Sequence, residues 1–432
     1  MSTKQINMKA ILTLFMFLPC VIFSQHILFL GAKAHIGNGS SIDVSAISIK
    51  DGKIDMVADA TGIRINPQAY DTIYHVYNHH IYPGFIATNT TLGITEISAV
   101  RATNDYRETG VFKPHVRSLI AFNAESVIIP TIRSNGVLLA QVAPKGGRIC
   151  GTSSVMKLDG WNWEDAAQKV DDGIHLNWPS YFVQTGWWAE PGDIKKTDTY
   201  QENYQDLEAY FSKAQSYLNN SNRAIDISMQ AMMGLFTGQK RLYIHADSQR
   251  EIIDAVLFSK KMNIPHIAIV GARQAHLITS FLKTHDVPLL LDRIHRLPAT
   301  EDSDVDMPYK QAKILADANL TFGFCYQGDM EAMGQRNLPF SAGTAVAHGL
   351  DYETAVSALT LNTAKILGID HKVGTLSSGK EATFFVSKGD ALDMMTNNVK
   401  YAYIQGVEVD LDNKQKVLNR KYRKKYGLGP KK

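Results

Sequence analysis

Residues 81–93 read IYPGFIATNTTLG, an apolar, β-rich run that ends in polar residues. The run predicts a strand near 81–88. Pro83 has a fixed φ, and Gly84 after it can adopt backbone conformations closed to other residues, so the pair predicts a turn. We therefore expect the chain to pass here from one structural unit into another.

Both terminal regions of the chain have sequence patterns typical of antiparallel strands. Residues 26–82 contain ILFLGAKAHIG, VSAISIK and IDMVA, separated by the turn signals Asn38-Gly39 and Asp51-Gly52. Similar runs, VGTLSSGK, ATFFVSK and YAYIQGVEV, follow Val373. Alternating short strands and turns predict a meander. One β-sandwich built from 26–82 and 373–415 is the economical interpretation.

Residues 83–372 alternate short apolar runs with helical patterns. Helices expected at 201–217, 248–261 and 306–318 make those connections long enough for parallel βα units. The pattern therefore predicts an α/β fold, a (β/α)8 TIM-type barrel with a small β-sandwich formed by both chain ends. The eight strands are expected near 81–88, 137–142, 153–158, 173–178, 241–245, 266–271, 287–292 and 320–327.

Residues 161–222 are longer than a simple βα unit requires and hold all five tryptophans, which predicts a loop insertion near one barrel face. Such aromatic residues either stack on a ligand or simply pack the loop. The tryptophans are Trp161, Trp163, Trp178, Trp187 and Trp188.

The first 25 residues have the layout of a secretory signal peptide. Lys4 and Lys9 precede an apolar run that ends at Phe23, and Ser24 offers a small residue at a plausible cleavage point. The run is short for a bilayer span, and no other segment looks transmembrane. We expect an exported protein, periplasmic or secreted.

Composition limits the possible partners. The chain has 432 residues, 20% of them charged, and a formal net charge of +3, so nucleic-acid binding is not indicated. The basic residues cluster only in segment 416–432, which is expected to be a solvated, frayed tail.

Cys150 and Cys325 sit in no zinc-binding spacing and are expected to be buried, unpaired thiols. A small-molecule ligand remains possible, and the oligomeric state is undetermined.

Two motifs resemble the amidohydrolase superfamily, and within it the imidazolonepropionase-like branch. Residues 81–93 are similar to its first barrel strand, where Pro-Gly-Phe/Leu-Ile leads into Asp-Ala-His-x-His-Leu-Gly. Residues 341–369 and 373–386, ending in VGTLSSGKEATFFV, look like its end-of-barrel signature. The similarity extends from about His26 to Val409. It implies a barrel, a sandwich split between the chain ends, and hydrolysis of non-peptide C–N bonds.

The resemblance also implies one or two divalent metals, zinc by family, at the carboxyl-terminal mouth of the barrel. Carried across residue by residue, only His245 keeps a metal ligand. One ligand does not hold zinc, so His245 is either a residual ligand or a hydrogen-bonded histidine left by ancestry. The sequence therefore predicts no cofactor or a weakly bound divalent metal. The degenerate ligand positions are Asn89, Thr91, Val270, Gly271 and Gln327.

Other polar residues at strand ends could rebuild a site or could cap helices. His175 and Asp329 are the possible pocket residues; Glu96, Asp247 and Asp292 are further candidates. The Gly-rich loop APKGGRICGTSS lacks a phosphate-binding motif. It is expected to form a tight loop at the barrel mouth that brings Lys145 and Arg148 near the pocket.

Two main functions follow from this pattern. The first is a C–N hydrolase whose catalysis is impaired or altered by the degenerate metal site, in effect a pseudoenzyme. The second is a binding or scaffold protein of the cell envelope that kept the barrel without the chemistry. A metal-free hydrolase with new residues has no Ser/His/Asp or GxSxG pattern to support it. The catalytic residues and the substrate stay unknown at this stage.

Overall fold

The computed structural model describes residues 25–187, 189–220, 222–298, 300, 302–328 and 330–429. Most of the predicted signal peptide, residues 1–24, lies outside the described residues. So do Trp188 of the predicted insertion and Asp329 of the predicted pocket.

The amino-terminal region forms short strands, as the alternation of apolar runs and turns predicted. Gly52 follows Asp51 in a tight turn where both residues have positive φ, which glycine adopts without strain. The strands are β1 (Ile27–Leu30), β2 (Lys33–His35), β3 (Ser41–Ile42), β4 (Ser45–Lys50), β5 (Lys53–Asp59), β6 (Thr72–His75) and β7 (His80–Pro83).

The barrel region supplies the next ten strands. Its eight barrel strands overlap the eight predicted ones, although the first prediction, 81–88, also covers most of β7. The strands β12 and β13 form a separate hairpin in the insertion. The strands are β8 (Phe85–Thr90), β9 (Val137–Val142), β10 (Ile149–Lys157), β11 (Ala167–Asn177), β12 (Phe182–Trp187), β13 (Glu190–Lys196), β14 (Arg241–Ala246), β15 (Ile267–Gly271), β16 (Leu289–Leu291) and β17 (Phe322–Phe324).

The carboxyl-terminal region returns to the sandwich with β18 (Phe384–Ser387), β19 (Val399–Ile404) and β20 (Val407–Glu408). One sandwich sheet has the order β20-β19-β18-β7-β2-β3 and so combines both chain ends. The other, β5-β4-β1-β6, comes from the amino-terminal region alone. Phe29 and Phe384 meet edge to face, with ring centroids 5.4 Å apart, in the core between them.

The helices flank the barrel strands. The three predicted ones are present as α3, α5 and α7, and α5 begins with a capping box between Ser248 and Glu251. The helices are α1 (Ile129–Arg133), α2 (Trp163–Ala166), α3 (Tyr200–Asn219), α4 (Ile227–Phe236), α5 (Gln249–Lys261), α6 (Thr279–Thr284), α7 (Met307–Asp317), α8 (Glu331–Gly334), α9 (Leu338–Ala347), α10 (Tyr352–Leu359), α11 (Leu361–Leu367) and α12 (Lys414–Lys425).

The barrel sheet has the order β17-β16-β15-β14-β11-β10-β9-β8. Its first and last strands meet where Thr88 Oγ1 donates a hydrogen bond to the carbonyl oxygen of Phe324 at 3.2 Å. The predicted TIM-type fold is confirmed, with one departure: β10 runs antiparallel to both β9 and β11. Residues 143–148, which join β9 to β10, are too few for the crossover that a parallel pair needs.

Gly84 joins the two units, as predicted, but for another reason. It is absent from the residues with positive φ. A Cβ at this position would lie 3.0 Å from Leu138, so glycine permits close packing of β8 on β9. The expectation of an unusual backbone conformation at Gly84 was therefore wrong.

Two peripheral expectations had different outcomes. The basic segment, expected to be frayed, is largely helical in α12, whose first turn is capped by the Asn413 side chain. Cys150 and Cys325 are buried free thiols, as predicted. Within the described ranges, no helix has the length and apolarity to cross a membrane.

Candidate functional site at the barrel mouth

Asn89, the second-last residue of the first barrel strand β8, has a φ of +51° and is 1% exposed. Asparagine tolerates this left-handed conformation better than most residues. The Asn89 side-chain oxygen Oδ1 and its carbonyl oxygen each accept a hydrogen bond from Lys145 Nζ, both at 2.9 Å. The position where the resemblance implied a metal-binding histidine is therefore occupied by an amide that binds an ammonium group.

Lys145 reaches this position from the loop after β9. Its backbone nitrogen donates to the Tyr106 carbonyl oxygen at 2.8 Å, which fixes the start of the side chain. The expected placement of the Gly-rich loop at the barrel mouth is confirmed. Arg148 Nη1 donates to the carbonyl oxygen of Asn177, the last residue of β11, at 3.1 Å.

His245 is the second-last residue of β14 and is paired with His175 of β11. His175 Nδ1 lies 3.0 Å from His245 Nε2, so one ring donates to the other. Burial, and then the charge of Lys145, lowers the pKa of His245 to about 3. Burial, His245 and Lys145 together hold the pKa of His175 well below its usual value. Both rings are therefore neutral near pH 7, and the structure unites the retained histidine with one predicted pocket residue.

The sixth barrel strand offers no imidazole. Val270 lies opposite His245 in the parallel register of β14 and β15, and Gly271 follows it with a φ of +99°. The carboxylate of Asp247 lies where a Gly271 side chain would go. Arg273 Nε is 3.4 Å from Asp247 Oδ2, and its Nη2 is 2.8 Å from Asp292 Oδ2. Asp247 and Asp292 thus belong to an ion-pair cluster.

The eighth barrel strand is followed by Gln327, whose Nε2 donates to Cys325 Sγ at 3.4 Å. Burial raises the pKa of the Cys325 thiol. Gln327 therefore supplies an amide contact where the resemblance implied an aspartate base.

Thr91, the second degenerate position of the first strand, is bound by Glu331 from α8. Thr91 N and Oγ1 both donate to Glu331 Oε1 at 2.6 Å, and Thr90 Oγ1 donates to Oε2 at 2.8 Å. Gln335 Nε2 adds a fourth hydrogen bond at 2.9 Å. Sequence reasoning missed Glu331, because nothing in its local pattern distinguishes it from a surface residue of a short helix.

A polar network lies deeper in the barrel and was also missed. Asp172 is fully buried and accepts hydrogen bonds from Ser153 Oγ at 2.7 Å, Gln141 Nε2 at 2.8 Å and Tyr243 Oη at 2.8 Å. Gln141 Oε1 in turn accepts from the Asn89 backbone nitrogen at 3.2 Å. The network therefore supports the strained backbone at Asn89.

An open cavity of about 430 Å³ lies at this end of the barrel, a size typical of small-molecule sites. Thr91, Lys145 and Gln327 all contribute to its wall. Glu96, one of the further candidates, lies elsewhere and accepts a hydrogen bond from Asn123 Nδ2 at 3.3 Å. The remaining lining residues are Thr95, Ser98, Tyr106, Gly328, Met330, Glu331 and Ala332.

The described side chains do not fit the metal centre that the resemblance implied. His245 Nε2 is engaged by His175, Asn89 Oδ1 by an ammonium group, and Val270 has no donor atom. Among the residues that the structure describes, no group of three or more His, Cys, Asp or Glu side chains could hold a metal ion. A zinc site normally needs at least three protein ligands.

Comparisons with known proteins agree with this architecture. Residues 239–411 match the model of the Amidohydrolase family. A crystal structure of an amidohydrolase from Thermotoga maritima MSB8 superposes with a TM-score of 0.73 at 20% identity, covering 89% of this chain and 99% of that one. A Xaa-Pro dipeptidase with bound methionine gives 0.56 at 12% identity, covering 89% and 100%. At these identities the structural likeness concerns the fold.

Among curated proteins, the amidohydrolase tasK of Hapsidospora irregularis is 26% identical over 178 residues, which is 39% of this chain. The match spans only 17% of that relative's length. The fold defines a TIM-type barrel protein with an attached β-sandwich. Residues 239–411 are therefore similar to the Amidohydrolase family, and the fold of the chain is similar to that of solved amidohydrolases.

Proposed function

We propose that this chain is an amidohydrolase-type protein with a degenerate metal site, whose hydrolysis of non-peptide C–N bonds is impaired or altered. The observation that carries the proposal is the pair of hydrogen bonds from Lys145 Nζ to Asn89. A cation bound at Asn89 Oδ1 would have to displace the ammonium group and would be repelled by its charge.

The other ligand positions support the same conclusion. Val270 is aliphatic, and the Gln327 amide cannot take a proton from water as a carboxylate does. Metal-dependent hydrolases generate hydroxide near neutral pH by binding water to the metal, so losing the ion removes the nucleophile. The branch of the superfamily is still a prediction, with imidazolonepropionase-like enzymes as the proposed relatives.

An activity assay tests this proposal. The full chain is incubated with a panel of cyclic amides and N-acyl amino acids, with and without a chelator, and after zinc is added back. We expect no turnover that the chelator abolishes and zinc restores. Turnover that follows zinc in this way would overturn the proposal.

We also propose that the chain is exported, on the layout of residues 1–24. Cell fractionation of the full chain and of a variant lacking those residues tests it. Export of the full chain alone is expected, and equal retention of both inside the cell would contradict it.

A further inference from the structure

We propose that the barrel mouth binds a small carboxylate, and that the Lys145 ammonium group supplies the positive charge there. The inference rests on the proposed function, because it assigns to a lysine the place that a metal ion holds in standard superfamily sites. It also goes beyond that function, because it names the chemistry of the ligand.

The Lys145 ammonium group is held in place by hydrogen bonds, but none of its described partners neutralises its positive charge. Its two described acceptors are the neutral oxygens of Asn89. Within the described ranges no carboxylate forms an ion pair with it. Glu331, the described acid of the cavity wall, already accepts four hydrogen bonds from Thr90, Thr91 and Gln335. A carboxylate entering the cavity would therefore meet an ammonium group whose described partners are uncharged.

Buried polar atoms without a partner surround the same position. Thr95 is 4% exposed and lines the cavity, and its Oγ1 has no hydrogen-bond partner in the described structure. The same holds for Nδ2 of Asn89 and Nε2 of His175, which are 1% and 0% exposed. Buried polar groups in folded proteins are normally hydrogen-bonded, and each exception needs an explanation. A bound ligand that reaches Thr95 would explain that atom.

The remaining polar groups of the cavity wall suit an anion with two oxygens. Ser98 and Tyr106 carry hydroxyl groups and Gln327 an amide, and all three line the cavity. A carboxylate offers about four lone-pair directions, so it can accept from the ammonium group and from several of these donors together. Charge-assisted hydrogen bonds of this kind are stronger than neutral ones. A neutral amide of the same shape would lack the electrostatic attraction to the Lys145 ammonium group.

Matched pairs of ligands test the proposal by isothermal titration calorimetry on the full chain. The acids are acetate, benzoate and hippurate, and the neutral partners are acetamide, benzamide and hippuramide. We expect at least one acid to bind at least about tenfold more tightly than its amide, a difference of about 1.4 kcal/mol. Equal binding within every pair, or no binding by any acid, would overturn the proposal.

Variants assign the effect to the lysine. Lys145→Met is expected to remove the preference for the acid, Lys145→Arg to retain part of it, and Lys283→Met, at an exposed lysine of α6, to leave it unchanged. Thermal unfolding of each variant checks that it is folded. If Lys145→Met folds and still binds the acid more tightly than the amide, the inference is wrong. If Lys145→Met does not fold, the test is Lys145→Arg: a folded Lys145→Arg variant with no preference for the acid overturns the inference.

The titrations are repeated with a chelator, and the metal content of each sample is measured. Metal-free protein that shows no acid preference contradicts this inference and leaves the proposed function standing. Stoichiometric metal with a preference that the chelator abolishes contradicts both. Stoichiometric metal with a preference that depends only on Lys145 contradicts the proposed function alone.

Discussion

A side chain at Gly271 has no room, because Asp247 Oδ1 lies 2.4 Å from the point where its Cβ would stand. Gly271 also has a φ of +99°, which side chains rarely adopt. A histidine at this end of β15, as the superfamily pattern implies, would need both the backbone and the Asp247 carboxylate to move. The end of β15 is therefore packed against the Asp247 carboxylate.

Gly271→Ala should destabilise the fold through both effects. Gly39→Ala is the matched control, since Gly39 has a φ of +93° with nothing within 4 Å of the added Cβ. The backbone alone should cost each variant about 1–2 kcal/mol. Crowding against Asp247 should add about 1–3 kcal/mol at Gly271. Chemical denaturation measures the free energy of unfolding of both variants. Equal losses in the two would mean that the Asp247 carboxylate moves aside without cost, which contradicts the predicted crowding.

Asn89→Asp should weaken carboxylate binding. The new carboxylate would lie against Lys145 Nζ and neutralise the charge that we assign to the ligand. We expect hippurate affinity to fall at least about tenfold, since one lost charge-assisted bond contributes about 1.5–3 kcal/mol. Asn319→Asp is the control, because Asn319 has a similar φ of +57°. Unchanged affinity in Asn89→Asp would argue against Lys145 as the anchor.

Glu331→Ala should destabilise the first-strand loop. It removes the acceptor of four hydrogen bonds and leaves the buried Thr91 N–H without its partner. A loss of about 1–3 kcal/mol is expected in the free energy of unfolding. Glu125→Ala, at an exposed position, should stay within about 0.5 kcal/mol of the parent chain. Similar values for the two variants would contradict the role given to Glu331.

Cys150 and Cys325 should resist alkylation in the native protein. Burial raises the pKa of both thiols, so they stay protonated at pH 8. In the unfolded chain they ionise near their usual pKa of about 8.5, so the folded state holds more protons above that pH. The stability that the two buried, protonated thiols contribute to the free energy of unfolding is therefore fully present below about pH 8.5. It is lost progressively as the pH rises above that value.

Iodoacetamide labelling followed by peptide mass spectrometry measures this protection. Both cysteines should be labelled only after a denaturant is added. Rapid labelling of either one in native protein at pH 8 would show that its burial is incomplete.

Much of the fold could be predicted, because the β-branched runs and the helical patterns are local signals. All eight barrel strands lay where such runs occur. The direction of β10 could not be predicted from its apolar character, which is the same in either direction. It follows from the short connection 143–148 that the structure shows. Gly84 was identified, but its closeness to Leu138 depends on a neighbouring strand.

The site was less predictable, because it depends on long-range side-chain contacts. The pattern placed Asn89 and His245 at the mouth, and Lys145 near it. The hydrogen bonds from Lys145 to Asn89 and the pairing of His175 with His245 join residues 56 and 70 positions apart. No local spacing specifies either contact. Glu331 and Thr95 carried no signal, because a threonine or glutamate in a loop is ordinary.

We propose that the barrel mouth carries the Lys145 ammonium group where the amidohydrolase resemblance implies a metal ion. Elemental mass spectrometry of the tag-free protein, purified without chelator and then dialysed against zinc, tests it most directly. We expect substoichiometric zinc, iron, manganese and nickel, because a zinc site normally needs at least three protein ligands. One or more tightly held equivalents of a divalent metal would contradict the account.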